Sequence, residues 1–210
     1  MKKLDTTLYF ITDSTGFEEN EFLRRTEEAL KGGATLLQLR EKDKTTREYI
    51  SIAEKVHKLT KKYNVPLIID DRIDVAMAMG AEGVHLGQND MPIKTARKLL
   101  GDDFIIGATT KTVVQAKEAY SGGADYLGVG AIFPTTTKVK TVITPVETLS
   151  DICKNVPIPV NAIGGLNKIN AEILRNTGIA GICVVSAIMK AESPRAEAEI
   201  LLSLAKELKK

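Results

Sequence analysis

The stretch PLIIDDRIDVAMAMGAEGVHLGQND, residues 66–90, carries the reading of the fold. It opens with a short apolar run, residues 66–70, that does not alternate apolar with polar, as expected of a parallel strand covered on both faces. A segment of helical periodicity follows, glycine closes it in Met79-Gly80-Ala81-Glu82-Gly83, and a second short run begins at residues 83–86. The unit is strand, helix, glycine turn, strand.

In both directions along the chain the same unit recurs. Eight strand candidates occupy residues 8–13, 35–40, 66–70, 83–86, 104–108, 126–129, 159–163 and 181–186, each followed by a stretch with helical periodicity. The second helix, around residues 47–63, places Tyr49, Ile50, Ala53, Val56 and Leu59 on one stripe with charged residues opposite. The last starts at Pro194, which suits a first helical turn, and its stripe includes Ile200, Leu201, Leu204, Ala205 and Leu208. Lys31-Gly32-Gly33-Ala34 and Ser121-Gly122-Gly123-Ala124 repeat the Gly80 signal, a left-handed cap where a helix turns into the next strand. No Pro/Gly/Ser-rich linker divides the 210 residues, so the expectation is α/β, a single (β/α)8 TIM barrel over residues 1–210 rather than an open doubly wound sheet.

Composition narrows the partners. Lys and Arg number 29 against 27 Asp and Glu and are scattered, which leaves no electrostatic footprint for nucleic acid. No apolar run approaches the roughly 20 residues that span a bilayer, so no membrane partner is expected and the expected compartment is the cytoplasm. Cys153 falls in a helix and Cys183 in a buried strand, without CxxC spacing, and both read as free thiols of a reducing compartment. A homo-oligomer stays open.

In a barrel of this kind, chemistry sits at the carboxyl ends of the strands. After the second strand, Gln38-Leu39-Arg40-Glu41-Lys42 sets an Arg and a Lys two residues apart, a pair suited to forking and neutralising a phosphate; a solvated loop paired through Glu41 is the plain alternative. Asp71 after the third strand and Asp90 after the fourth suit Mg2+, which takes one or two protein carboxylates and completes its octahedron with water and phosphate oxygens. Alternatively Asp71 pairs with Arg72, and Asp90 caps the next helix. Thr109-Thr110-Lys111-Thr112 offers hydroxyls and a cation after the fifth strand. After the sixth, Phe133-Pro134-Thr135-Thr136-Thr137-Lys138 packs three hydroxyls and a Lys behind a proline, a cluster that a mere turn does not need. Ile163-Gly164-Gly165 and Val184-Val185-Ser186 end the seventh and eighth strands, where barrel enzymes build a phosphate cup.

In order along the chain, QLREK at 38–42, IIDDR at 68–72, GVHLGQND at 83–90, GAIFPTTTK at 130–138, AIGG at 162–165 and VVSAI at 184–188 resemble thiamine-phosphate synthase. PTTTK with QLREK is the discriminating pair. The resemblance implies a transferase that joins a pyrimidine methyl diphosphate to a thiazole phosphate, with Mg2+ as cofactor. It implies that Gln38, Leu39, Arg40, Glu41 and Lys42, with Asp70, hold the pyrimidine diphosphate, and that Asp71 and Asp90 bind Mg2+. Lys138 and Thr109 would contact pyrophosphate, while Thr135, Thr136, Thr137, Gly165, Val185 and Ser186 would take the thiazole phosphate. Asp70 stands where the family generally has Asn, and Thr109 where it often has Ser. The Thr keeps the hydroxyl, whereas Asp70 adds negative charge near a diphosphate, which is unfavourable unless it is protonated, turned away or balanced by Mg2+.

Such a reaction asks for stabilisation of the leaving group and no strong base, which assigns Arg40, Lys42 and Lys138 the catalytic work and leaves His57 and His85 structural. A related thiazole tautomerase typically carries His after the sixth strand, where Ala131 stands here, and lacks the PTTTK run. A non-catalytic ligand-binding regulator is disfavoured by retention of the acidic and basic candidates together. Lys138→Ala is expected to lose most turnover while far-UV circular dichroism and melting temperature stay unchanged; unaltered turnover would remove the leaving-group argument.

Overall fold

The computed structural model describes residues 4–135 and 142–209. Eight parallel strands close into a barrel in chain order: β1 (Leu8–Ile11), β2 (Leu36–Leu39), β3 (Leu67–Asp70), β4 (Gly83–Leu86), β5 (Ile105–Thr110), β6 (Tyr126–Gly130), β7 (Val160–Ile163) and β8 (Gly181–Val184). The closing pair is β1 with β8, in register at Tyr9 and Cys183. Around the barrel run α1 (Glu19–Lys31), α2 (Thr46–Lys62), α3 (Ile73–Met79), α4 (Ile93–Leu100), α5 (Val113–Ser121), α6 (Val146–Asn155), α7 (Ser186–Met189) and α8 (Pro194–Leu208). No helix among the described residues is long and apolar enough to cross a membrane.

Strand alternation sorts the side chains. Leu8, Phe10, Leu37, Leu39, Leu67, Ile69, Val84, Leu127, Val129 and Ile182 pack outward in one large core with the helices. Tyr9, Ile11, Leu36, Ile68, Tyr126 and Cys183 form a second cluster inside the barrel. Each fully buried aliphatic side chain contributes roughly 1.5–3 kcal/mol, and the need to fill both layers explains why the strands read as continuous apolar runs.

The helix starts follow local chemistry. Thr45 and Glu48 close a capping box, in which Glu48 N donates to Thr45 Oγ1 at 3.4 Å and Thr45 N to Glu48 Oε2 at 2.8 Å, and this starts α2. Its buried face is Tyr49, Ile52, Ala53, Val56, His57 and Thr60, with Ile50 and Leu59 only half-buried, so the stripe lies about one residue round the helix from its sequence assignment. In α8, Ala198, Leu201, Ala205 and Leu208 are buried but Ile200 is exposed, because it lies beyond the edge of the contact with α1 and the barrel. The glycine pairs also divide their work differently. Gly32 and Gly122 cap in right-handed geometry, and their successors take the positive φ, +94° at Gly33 and +97° at Gly123, whereas Gly80 is itself left-handed.

The seventh unit departs from the pattern. Between β7 and β8 there is a single 3-10 turn, Ala171–Leu174, in place of a helix. Asn167 Oδ1 accepts from Ile169 N at 2.8 Å and Asn170 Oδ1 accepts from Asn167 N at 2.9 Å, so the side chains capture amides that a helix would use.

The ring of helices closes where α1 ends against the start of α8. A Cβ on Gly32 would lie 2.5 Å from the Arg195 carbonyl oxygen and 2.6 Å from Ala198 Cβ. Gly32→Ala therefore has to push α8 outward, at a cost of about 1–3 kcal/mol. Thermal unfolding is expected to show a midpoint lower by roughly 3–10 °C; an unchanged midpoint would mean that this contact yields freely.

Candidate active site

A cavity of about 320 Å³ opens at the carboxyl ends of the strands. Gln38, Arg40 and Lys42 reach it from β2 and its loop, Asp70 from the end of β3, Asp71 and Asp90 from the loops after β3 and β4, and Thr109 and Lys111 from the end of β5 and just beyond it. Thr135, Gly165, Val185 and Ser186 form the far wall. Leu39 and Glu41 do not line it: alternation sends the Leu39 side chain into the outer core, and Glu41 accepts from Ser14 Oγ at 2.7 Å and pairs with Lys44. Thr136, Thr137 and Lys138 lie outside the described residues.

One rim is charged. Lys42 Nζ lies 2.6 Å from Asp70 Oδ2 and also pairs with Asp71 Oδ2, while Arg40 Nε stands 3.8 Å from Asp70 Oδ2. Adjacent residues of a strand would point to opposite faces. Asp71 escapes that rule because its φ is +59°, a left-handed conformation rare for residues other than glycine, which brings both carboxylates to the same lysine. Its backbone N–H donates to the His85 carbonyl at 2.9 Å and fixes the turn.

Burial, and after it the charge of Asp71, pushes the Asp70 carboxyl up to about 6 against the pull of Lys42 and Arg40. Burial acts on Asp71 in the same direction, but the hydrogen bond and charge of Lys42 and a hydrogen bond from Asp90 outweigh it and hold Asp71 below the ordinary carboxylate range. Asp90 is raised by burial and by the charge of Asp71, against a 2.6 Å hydrogen bond from the Gly87 amide. Burial alone would lower Lys42; the two aspartates more than reverse that and keep it cationic.

These contacts decide the alternatives left by the sequence. Arg72 pairs with Asp74 at 2.5 Å and not with Asp71. Asp90 does not cap α4, whose N-cap is Pro92 with no side-chain hydrogen bond. Asp71 and Asp90 remain as neighbouring carboxylates on the cavity rim, a donor set that fits a hard divalent cation. Among the described residues no group of three or more His, Cys, Asp or Glu is arranged to hold a metal, so such an ion would complete its shell with water and ligand oxygens.

Below the rim the floor is polar and hydrogen-bonded. Tyr9 and His85 line it, and neither stood among the candidate site residues. The two histidines have different surroundings: His57 is buried under α2 with Nε2 3.0 Å from Glu82 Oε1, whereas His85 bonds Tyr126 and Thr109 beside the cavity. The available signal was position, since His85 stands between the outward-facing Val84 and Leu86 and so faces in. Lys111 lines the opening and donates to the Val142 carbonyl at 3.3 Å. Opposite, Gly165 has φ +64°, and a Cβ there would lie 2.6 Å from the Pro134 carbonyl oxygen, so glycine lets this wall close against the loop that carries Thr135.

With this geometry in view, comparison with known proteins is specific. A family profile described as thiamine monophosphate synthase matches residues 8–188. A thiamine-phosphate synthase from Methanobrevibacter smithii is 50% identical over 202 residues, covering 96% of each chain. Thiamine-phosphate synthase 2 from Streptococcus pneumoniae is 49% identical over 195 residues, covering 93% of each. Among solved structures, a thiamine phosphate pyrophosphorylase from Pyrococcus furiosus superposes with a TM-score of 0.89 at 42% identity, over 98% of both chains.

Asp70 draws Lys42 toward the acidic side of the rim. Asp70→Asn is expected to tighten binding of inorganic pyrophosphate by roughly twofold to fivefold, the scale of an ion pair whose lysine is half-exposed and which is worth up to ~1 kcal/mol. Because the Asp70 carboxyl is raised, it is neutral below its titration and anionic above it, so the gap between the two proteins should open above about pH 6 and close below. Calorimetric titration across that range checks both; equal affinities at neutral pH would show that Asp70 does not restrain Lys42.

Proposed function

The chain belongs to the thiamine monophosphate synthase family and is an enzyme of the transferase class; on that premise we propose that it joins 4-amino-2-methyl-5-(diphosphomethyl)pyrimidine to 4-methyl-5-(2-hydroxyethyl)thiazole phosphate, forming thiamine phosphate and pyrophosphate. The observation that carries this reading is the division of the cavity. Cations and carboxylates share one rim, a hydrogen-bonded floor lies beneath, and a glycine- and hydroxyl-bearing wall stands opposite.

In the proposed step the bond from the pyrimidine methylene carbon to the diphosphate oxygen breaks, and the oxygen leaves with the electron pair. The thiazole nitrogen lone pair then bonds to the carbon. No proton is removed, so the protein's task is to stabilise developing negative charge on the leaving group. Arg40 offers a planar fork and Lys42 a compact charge to the diphosphate, joined by the Thr109 hydroxyl and by Lys138 as the family resemblance implies. Asp71 and Asp90 would hold magnesium, and the ion would supply further neutralisation of the charge that develops on the leaving group. Gln38 on the floor would orient the pyrimidine, while Thr135, Thr136, Thr137, Gly165, Val185 and Ser186 would take the thiazole phosphate. Ala131 lines the cavity where the related tautomerases typically carry His, which supports the transferase over the isomerase.

The test is pyrophosphate release by the purified protein with both substrates, with each omitted in turn, and with EDTA in place of Mg2+. Release that needs both substrates and the metal, with thiamine phosphate as co-product, is the expected result. No release from folded protein would move the assignment to the tautomerase or to a ligand-binding regulator.

A further inference from the structure

An unbroken line of hydrogen bonds crosses the cavity floor and joins five strands. Gln38 Nε2 on β2 donates to Tyr9 OH on β1 at 2.6 Å, and Tyr9 OH lies 2.7 Å from Tyr126 OH on β6. Tyr126 OH lies 3.1 Å from His85 Nδ1 on β4, and His85 Nε2 lies 2.9 Å from Thr109 Oγ1 on β5. The two phenol rings meet edge to face, with centroids 5.5 Å apart. Gly107 leaves room for this junction, since a Cβ there would collide with the Tyr126 ring and come within 2.5 Å of His85 Nδ1.

The line has a direction. The Gln38 amide nitrogen can only donate, so Tyr9 OH accepts from it. Tyr9 is fully buried and still has its own hydrogen to place; among the described residues the oxygen within reach is that of Tyr126. Tyr126, equally buried, passes its hydrogen to His85 Nδ1. A neutral imidazole that accepts at Nδ1 carries its hydrogen on Nε2, and that hydrogen points at Thr109 Oγ1. Thr109 has then accepted one hydrogen bond and keeps its own hydrogen for the cavity. Burial holds both phenols well above their usual range, so neither interrupts the line by ionising. In the opposite direction, Thr109 would spend its hydrogen on His85 and show lone pairs to an anion.

We propose that Tyr9, Tyr126 and His85 are positioning residues: they transmit the polarity of the Gln38 amide across the floor, hold His85 as the Nε2–H tautomer, and commit the Thr109 hydroxyl to donate into the cavity toward the departing pyrophosphate. The destination rests on the proposed function; the tautomer does not. Tyrosine in place of phenylalanine at two fully buried positions has a reason in this arrangement, because each hydroxyl is one link of the line.

The chain contains two histidines, so their ring nitrogens can be followed individually by 15N NMR, with His85→Gln assigning the signal by its loss. At about pH 8, above the ordinary histidine range, the wild-type His85 should show a protonated Nε2 and an unprotonated, accepting Nδ1. A protonated Nδ1, or an even mixture, would overturn the proposal without any variant being needed. Tyr126→Phe, and independently Tyr9→Phe, should shift that tautomer balance. Each should also weaken binding of inorganic pyrophosphate with Mg2+ by roughly threefold to tenfold, the net range of an ordinary hydrogen bond, since each acts on the pyrophosphate only through Thr109. In combination with Thr109→Ala no further loss is expected, because both changes act through one hydroxyl; fully additive losses would refute the route through Thr109. Correct tautomers in a wild-type protein that does not bind pyrophosphate would count against the proposed function and the destination of the line, and leave the line itself standing.

Discussion

Pairing of β8 with β1 is the constraint from which the rest of the molecule follows. A closed sheet has no edge, so every strand is left with one face toward the helices and one toward a narrow interior. Outward positions are then filled by large aliphatic side chains, and inward ones by whatever can satisfy itself at close quarters. Toward the carboxyl ends the inward positions turn polar, with Gln38, Asp70, His85 and Thr109 at the ends of four consecutive strands. The closed sheet fixes their spacing, so residues far apart in the chain meet without any loop having to order them.

On the rim, charges rather than packing set the arrangement. Three carboxylates and two cations share a small volume, and the geometry keeps them from being independent. Lys42 sits between Asp70 and Asp71, and Asp71 shares a hydrogen bond with Asp90. The unusual φ of Asp71 costs on the order of 1–3 kcal/mol, and what it yields is a second carboxylate on the same lysine and beside Asp90. A structural loop would have little reason to keep such a residue there.

The sequence made the eight strand positions and the identity of the rim legible because both depend on local pattern. Continuous apolar runs mark doubly covered strands, and the residue following each run is placed by the barrel itself. Other features depended on contacts between distant parts of the chain. The lost helix between β7 and β8 turned on Asn167 and Asn170 capturing their own backbone, a competition that apolar periodicity does not register. The exposure of Ile200 was set by where α8 meets its neighbours. Leu39 and Glu41 fell within a motif whose alternate side chains reach the cavity, and a motif read as a block does not separate the two faces of a strand. No motif singles out Tyr9 or Tyr126, because their hydroxyls meet across 117 residues of chain.

That last pair shows why the interior is more than filler. Aliphatic side chains at these positions would bury comparable surface and remove two hydroxyls from a place where an unpartnered one costs roughly 1–3 kcal/mol. Retaining the hydroxyls is neutral only if every member finds its partner, and a fully partnered line admits few alternative rotamers. The floor therefore acts as a rigid template beneath a rim held by charge pairing. Orientation of the reacting groups can reside in the floor while charge compensation resides in the rim, and the closed barrel is what allows the two to lie a few ångströms apart without interfering.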